Sequence, residues 1–268
     1  MVAIGVDHVQ FSVPDLSAAV ALLTDRGWNV EFEQPRFAAG QRPYFREADK
    51  SMVYLKRGRD ALELIDGSAV NGTGRWTAAF SGELPGSTAL RGAEVGFFDA
   101  SVGPSVYGQP LHVEALGGTC LRAEPATETA PEAGSGVLDL TEVLLRSSDP
   151  EGSCAFLELF GFRRDVGAEV SLRLVFPQSF LCMGLAVTIV AGPAVAGDDA
   201  VDDLGMSLVA LISKDLEADR TALLAAGYET TDIFEYTING RPIRNVITRG
   251  PGAELVELIA VGRAAHDQ

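Results

Sequence analysis

Hydrophobic and polar positions alternate most cleanly at the start of the chain. Over residues 6–13, His8, Gln10 and Ser12 fall on one side and Val9, Phe11 and Val13 on the other, the period of a half-buried strand. Pro14 stops that strand. Asp15 then stands where a helix cap belongs, ahead of Leu16, Ala19, Val20, Leu22 and Leu23 at helical spacing. Gly27 supplies the left-handed residue that ends such a helix, and residues 28–32 begin a second strand. Extended runs follow at 44–47, 51–55 and 61–65, separated by turn signals at Gly40, Asp49-Lys50 and Gly58-Arg59-Asp60. Residues 1–67 therefore read as a strand, a helix and a further series of strands that closes at Asp66-Gly67.

The same order returns twice in clear form. Residues 138–146 predict an opening strand, and Asp149-Pro150 starts a helix with proline at its favoured first position. That helix ends at Gly161, and strands follow at 170–176 and 185–190. After an acidic loop at 197–203, residues 206–213 open again, Asp215 caps a helix that ends at Gly227, and strands follow at 231–238, 243–248 and 254–260. In all three units the capping aspartate lies twelve residues before the glycine, and an aromatic follows it: Trp28, Phe162 and Tyr228. The closing strands also match, Ala61-Leu62-Glu63-Leu64-Ile65 against Leu255-Val256-Glu257-Leu258-Ile259. Units that repeat in this way pair to bury their faces, which places function between them.

The stretch between the first and third units is less regular. Residues 68–90, rich in Gly, Ser, Thr and Asn but containing Trp76 and Phe80, read as a linker or as a long loop over a cavity. A strand at 91–100, a short helix at 109–117 and a strand at 119–123 would make a degenerate second unit. The expected organisation is an N-terminal pair of units over 1–125, a Pro- and Gly-containing linker at 126–136, a C-terminal pair over 137–262 and a tail at 263–268.

Composition narrows the partners. A net charge of −16 over 268 residues argues against a nucleic-acid backbone or an anionic membrane, and suits either a solvated acidic surface or a cationic ligand. Cys120, Cys154 and Cys182 are odd in number, widely spaced and without metal-binding spacing, so buried free thiols in a reducing, cytoplasmic setting are expected. No basic leader precedes an apolar run, and the longest apolar stretch, 181–196, is broken by Gly184, Gly192 and Pro193.

Asp7-His8-Val9, Pro14-Asp15-Leu16, Gly27-Trp28 and Leu62-Glu63-Leu64-Ile65, echoed by Lys214-Asp215-Leu216, Gly227-Tyr228 and Val256-Glu257-Leu258-Ile259, resemble the vicinal oxygen chelate superfamily of glyoxalases, bleomycin-resistance proteins and extradiol dioxygenases. The resemblance covers 1–67 and 137–262 and is weak over 68–136. It implies an α+β fold of βαβββ modules, four here with the second degenerate, paired into two cupped mixed sheets. In metal-using members one ligand sits on the opening strand and a glutamate on the closing strand of each module. His8 and Glu63 match those positions in the first unit and Glu257 matches the late one in the last. The early positions of the third and fourth units fall on Glu142 and Leu208, and the late position of the third falls near Thr188.

The resemblance implies a metal set of His8, Glu63 and Glu257, with Glu94 as a further candidate and Glu257 or Glu142 moving a proton. With the usual pairing of neighbouring modules, His8 and Glu63 would share one cup and Glu142 and Glu257 the other. The chain departs from the family in having only His8, His112 and His266, with His112 expected on a helix and His266 in the tail. One histidine among carboxylates suits Mn²⁺, Fe²⁺, Ni²⁺, Co²⁺ or Mg²⁺ better than structural Zn²⁺. Three functions stay open at this point. They are a metal-dependent isomerase, lyase or dioxygenase acting on vicinal oxygens; a metal-free binding protein that sequesters an antibiotic or other small ligand; and a metal-free enzyme using carboxylate acid/base chemistry. Any of these would act as a monomer or homodimer on a small molecule. Tyr54, Trp28, Trp76 and Phe80 are candidates for pocket walls, with core packing the alternative.

Overall fold

Three aspartates start the three helices. The structure, a computed structural model, describes residues 3–37, 44–47, 49–68, 76–81, 98–99, 110–113, 119–122, 139–165, 172–179, 182–192, 200–238 and 241–261. In α1 (Leu16–Thr24), α2 (Pro150–Leu159) and α3 (Leu216–Ala225) the carboxylates of Asp15, Asp149 and Asp215 accept from the N–H groups of Ala18, Gly152 and Ala218 at 2.9, 3.0 and 3.0 Å. Such a cap satisfies one of the orphan donors of the first turn. Each helix ends before a glycine at positive φ: Gly27 at 87°, Gly161 at 107° and Gly227 at 87°.

The first unit is β1 (Gly5–Val13), α1, β2 (Asn29–Phe37), β3 (Lys50–Arg57) and β4 (Asp60–Asp66). Between the units lie β5 (Trp76–Ser81) and a separate three-stranded sheet of β6 (Phe98–Asp99), β7 (Pro110–Val113) and β8 (Thr119–Arg122). The third unit is β9 (Asp139–Ser147), α2, β10 (Arg163–Arg164), β11 (Leu172–Phe176) and β12 (Leu185–Ala191). The fourth is β13 (Gly205–Ile212), α3, β14 (Glu229–Thr230), β15 (Phe234–Ile238), β16 (Arg241–Arg249) and β17 (Leu255–Val261). In each of these three units the opening strand pairs in parallel with the closing strand, and the middle strands follow antiparallel.

Two expectations from the middle of the chain are corrected. Residues 76–81 form a strand instead of loop, because Trp76, Thr77 and Phe80 favour extended backbone and Trp76 and Ala78 bury on one side. His112 lies on β7, which pairs antiparallel with β8, and not on a helix; Val113 and Thr119, β-branched residues opposite each other, favour the extended ladder. The linker at 126–136, the tail at 263–268, Glu94 and His266 lie outside the described residues.

The pairing of units is also not the expected one. β1 runs antiparallel to β13, from Gly5 opposite Ile212 to Ser12 opposite Gly205. β5 runs antiparallel to β9, from Trp76 opposite Leu145 to Ser81 opposite Asp139. The first unit therefore pairs with the fourth, and the second stretch with the third, instead of neighbour with neighbour. Chain separation opposes this only weakly, since loop-closure entropy grows with the logarithm of length. Among the described residues the halves meet at the register pair Met206 with Trp76 and at an isolated antiparallel bridge between Val6 and Met183.

The helices cover one face of the strands. Val9, Phe11, Leu22, Leu23, Trp28, Leu62, Leu64, Val209, Leu223, Val256 and Leu258 belong to the core cluster on that side. A second cluster, Met52, Ile65, Val201, Leu208, Ala210, Ile247, Leu255 and Ile259, occupies the opposite face of the first and fourth units. Full burial of each Val, Leu, Ile, Phe or Met among them contributes about 1.5–3 kcal/mol. Among the described residues, no helix is long and apolar enough to cross a membrane.

Candidate functional site

Two bulges set the geometry of the cup between the first and fourth units. On β1, Val6 faces Leu211 and His8 faces Ala210, so Asp7 is the extra residue. On β13, Gln10 faces Leu208 and Phe11 faces Met206, so Ser207 is the extra residue. Gln10 also neighbours Glu63 on β4, and Ala210 neighbours Glu257 on β17. This register has local two-fold symmetry that relates His8 to Leu208, Asp7 to Ser207 and Glu63 to Glu257. His8, Gln10, Glu63 and Glu257 thus share the face turned away from the helices, and each is at most 2 % exposed.

The bulge brings Asp7 round beside His8. Nδ1–H of His8 donates to Asp7 Oδ2 at 2.8 Å, because a carboxylate can only accept, and this leaves Nε2 facing Glu63 Oε2 at 3.9 Å. The Tyr54 hydroxyl donates to the same Asp7 oxygen at 3.1 Å. The Tyr54 ring meets the imidazole edge-on at 5.5 Å and stacks on Phe32 at 5.0 Å. Burial pulls the His8 pKa down, but the Asp7 hydrogen bond and the charges of Glu63, Asp7 and Glu257 outweigh it and raise it to about 9. Burial works against the Asp7 charge, yet its bonds to His8 and Tyr54 hold the carboxyl below its ordinary range. Burial and the Asp7 and Glu63 charges keep the Tyr54 phenol protonated well beyond its usual range. The arrangement favours positive charge at the imidazole.

The remaining predicted residues lie elsewhere. Glu142 is on β9 in the other half, so it does not share a cup with Glu257 as expected. It pairs with Arg173 Nε at 3.2 Å and accepts from the Thr188 hydroxyl. The register Leu144 opposite Thr188 makes Glu142 and Thr188 the counterparts of His8 and Glu63 in that half. Trp28 and Trp76 are core residues, 2 % and 3 % exposed, whereas Tyr54 lines the cup. Of the Phe80 side chain nothing is described. Asp7, Gln10 and Ser207 were missed as site residues. Alternation marks Gln10 as sharing the His8 face, but no local signal announces the bulges that turn Asp7 and Ser207 inward.

Solved structures with this architecture are similar to the chain over nearly its whole length. Glyoxalase I from Zea mays, as its V278E mutant, matches with a TM-score of 0.60 at 18% identity, covering 96% of this chain and 92% of that one. The unmutated maize enzyme gives 0.58 at 19% identity with the same coverage. A candidate dioxygenase from Bacillus subtilis subsp. subtilis str. 168 gives 0.59 at 15% identity, covering 100% of this chain and 88% of that one. The chain has the vicinal oxygen chelate fold. No protein-family model matches the sequence, and no curated protein matches it.

His8 Nε2 and Glu63 Oε1 are buried and have no hydrogen-bond partner among the described residues. Metal bonds of about 2.1 Å to nitrogen and oxygen span up to about 4.2 Å end to end, enough to bridge the 3.9 Å gap between His8 and Glu63. Asp7 on Nδ1 stands where an outer carboxylate would orient a histidine whose other nitrogen binds a metal. Glu257 is close enough for its charge to act on the imidazole. Among the described residues, no three His, Cys, Asp or Glu side chains are gathered tightly enough to hold an ion as they stand. His8 and Glu63 could together hold an ion, and Glu257 lies on the closing strand of the partner unit, beside Ala210.

Proposed function

We propose that the protein is a divalent-metal-dependent enzyme acting on a small molecule with vicinal oxygens, its site in the cup between the first and fourth units. The observation that carries this reading is the Asp7–His8–Glu63 line, in which an oriented imidazole presents a buried, unpartnered Nε2 to a buried carboxylate. His8 and Glu63 hold the ion and Glu257 is the third ligand, from the partner unit. A divalent ion in that position supplies Lewis acidity to adjacent substrate oxygens.

The side chains around it have separate tasks. Asp7 fixes the imidazole plane and tautomer through Nδ1. Tyr54 and Phe32 form a stacked aromatic wall that excludes water from the His8 side. Met52, Ile65, Leu208 and Leu255 keep the floor apolar, which strengthens electrostatic interaction within the cup. A carboxylate in such surroundings is suited to exchange a proton with substrate carbon, and Glu257 is the group assigned to it. Isomerisation, lyase and dioxygenase chemistry share this arrangement.

The test is metal content of tag-free protein by inductively coupled plasma mass spectrometry, beside His8→Ala and Glu63→Ala. Near-stoichiometric Mn, Fe, Co, Ni, Mg or Zn in the wild type, lost in both variants, is expected. Equal metal in all three would place the ion elsewhere and sink the proposal. One observation favours a second reading. Leu208 puts an apolar group at the position related to His8, as in a cup that sequesters a ligand without metal. Wild-type protein that takes up no metal, but is stabilised thermally by small apolar or cationic compounds, would select that reading.

A further inference from the structure

We infer that Gln10 supplies the oxygen donor that Leu208 withholds, so that its side-chain carbonyl joins His8 and Glu63 around the ion. This role for Gln10 rests on the metal reading of the cup proposed above. Gln10 is wholly buried and is the cross-strand neighbour of both Leu208 and Glu63. It lies two residues from His8, on the same face of β1.

The orientation of its amide is fixed by what surrounds the nitrogen. Nε2 donates to the carbonyl of Val201 at 3.1 Å and to Ser207 Oγ at 2.9 Å. Val201 O can only accept, so the nitrogen must occupy that side, and Oε1 is turned the other way. Oε1 is buried without a hydrogen-bond partner among the described residues. A buried carbonyl oxygen left in that state is destabilising unless a ligand or an ion completes it.

The support for Gln10 mirrors that for His8. Asp7, the bulged residue of β1, bonds the imidazole nitrogen that faces away from Glu63. Ser207, the bulged residue of β13 at the symmetry-related position, bonds the amide nitrogen of Gln10. Each unit thus spends its bulge on orienting one donor, and both donors come from β1. Ser12 Oγ, which donates to the same Val201 carbonyl at 2.7 Å, holds that acceptor in place. One imidazole, one amide oxygen and carboxylates form a hard, oxygen-rich set suited to Mn²⁺, Fe²⁺, Co²⁺, Ni²⁺ or Mg²⁺.

Co²⁺ alone is the probe, because its visible d–d bands report the ligand set without any turnover. Affinity and bands are compared in wild type, Gln10→Met, Gln10→Glu, Ser207→Ala and His8→Ala, with folding checked by circular dichroism. Gln10→Met is expected to weaken Co²⁺ at least about tenfold and to alter the bands. Gln10→Glu keeps an oxygen and retains binding, while Ser207→Ala alters the bands with a smaller loss of affinity. Should Gln10→Met not fold, the Ser207→Ala bands decide. Wild-type affinity and bands in Ser207→Ala and in every folded Gln10 variant, with binding lost in His8→Ala, would overturn the role of Gln10 and leave the metal site standing. Absence of Co²⁺ uptake by wild type, or uptake indifferent to His8→Ala, would overturn both.

Discussion

Lys50 Nζ stands 3.2 Å from Asp202 Oδ2, with both side chains removed from water. Lys50 opens β3 in the first unit and Asp202 leads into β13 in the fourth, so the pair ties together the two units that build the cup. Asp202 also accepts from the backbone N–H groups of Arg46 and Glu47 at 2.8 and 3.1 Å. Removing one partner of a buried pair costs about 3–5 kcal/mol, because the other charge is left uncompensated. Lys50 keeps Glu47 Oε2 at 2.7 Å, so Asp202→Ala is expected to lose the lower end of that range, about 3 kcal/mol, in urea unfolding. Lys50→Met is expected to lose less, since Asp202 keeps its two backbone donors. Equal losses would show that the ion pair, and not the backbone contacts, carries the tie.

The His8 pKa of about 9 predicts a pH dependence for the metal-free protein. A folded pKa above the ordinary 6.5 means that folding favours the charged imidazole. The resulting stabilisation is complete below about pH 6.5 and is lost as pH rises through about 9. Asp7→Asn removes the hydrogen-bonded carboxylate and moves that loss to lower pH. Imidazole titration by NMR, with urea unfolding at about pH 6 and about pH 10, checks both statements. A metal ion competes with the proton at Nε2, so metal affinity is expected to rise across the same window. A His8 titrating at or below its ordinary value contradicts this account.

Gly227 ends α3 at φ 87° with nothing within 4 Å of where a Cβ would stand. Any cost of substitution there is conformational and not steric. Gly227→Ala is expected to lose about 1–2 kcal/mol and Gly227→Asn distinctly less, read from denaturant midpoints. Similar losses for the two would point to a contact instead of backbone strain.

Glu257 and Glu142, which look alike as strand glutamates, should separate in a metal-binding assay. Glu257→Gln is expected to weaken divalent-ion binding at least about tenfold, since it removes charge from the His8 cup. Glu142→Gln should leave that affinity unchanged and instead loosen Arg173, its partner in the other half. Isothermal titration with Mn²⁺ on both variants reads the difference. A comparable effect from Glu142→Gln would contradict the separation of the two cups.

What could be read from the sequence was local. Asp15, Asp149 and Asp215 cap helices, and Gly27, Gly161 and Gly227 end them, because capping and left-handed backbone depend on residues within one turn. His8, Gln10 and Ser12 share a face for the same reason: strand alternation needs no tertiary information. Which unit joins which was not legible. β1 offers an edge that any matching opening strand can occupy, and nothing within residues 1–67 encodes that β13 is the one. The strand at 76–81 was hidden by the Gly-, Ser- and Thr-rich residues around it. The inward turn of Asp7 and Ser207 depends on a register slip between strands about two hundred residues apart, which spacing within either strand cannot reveal.

The most direct test of the central claim, that the first and fourth units build one metal site, is a crystal structure of Mn²⁺-loaded protein with anomalous scattering. A single strong peak bonded to His8 Nε2 and Glu63, with Glu257 from the partner unit drawn onto the same ion, is expected. A peak beside Glu142 and Thr188, or none within bonding distance of His8, would contradict it.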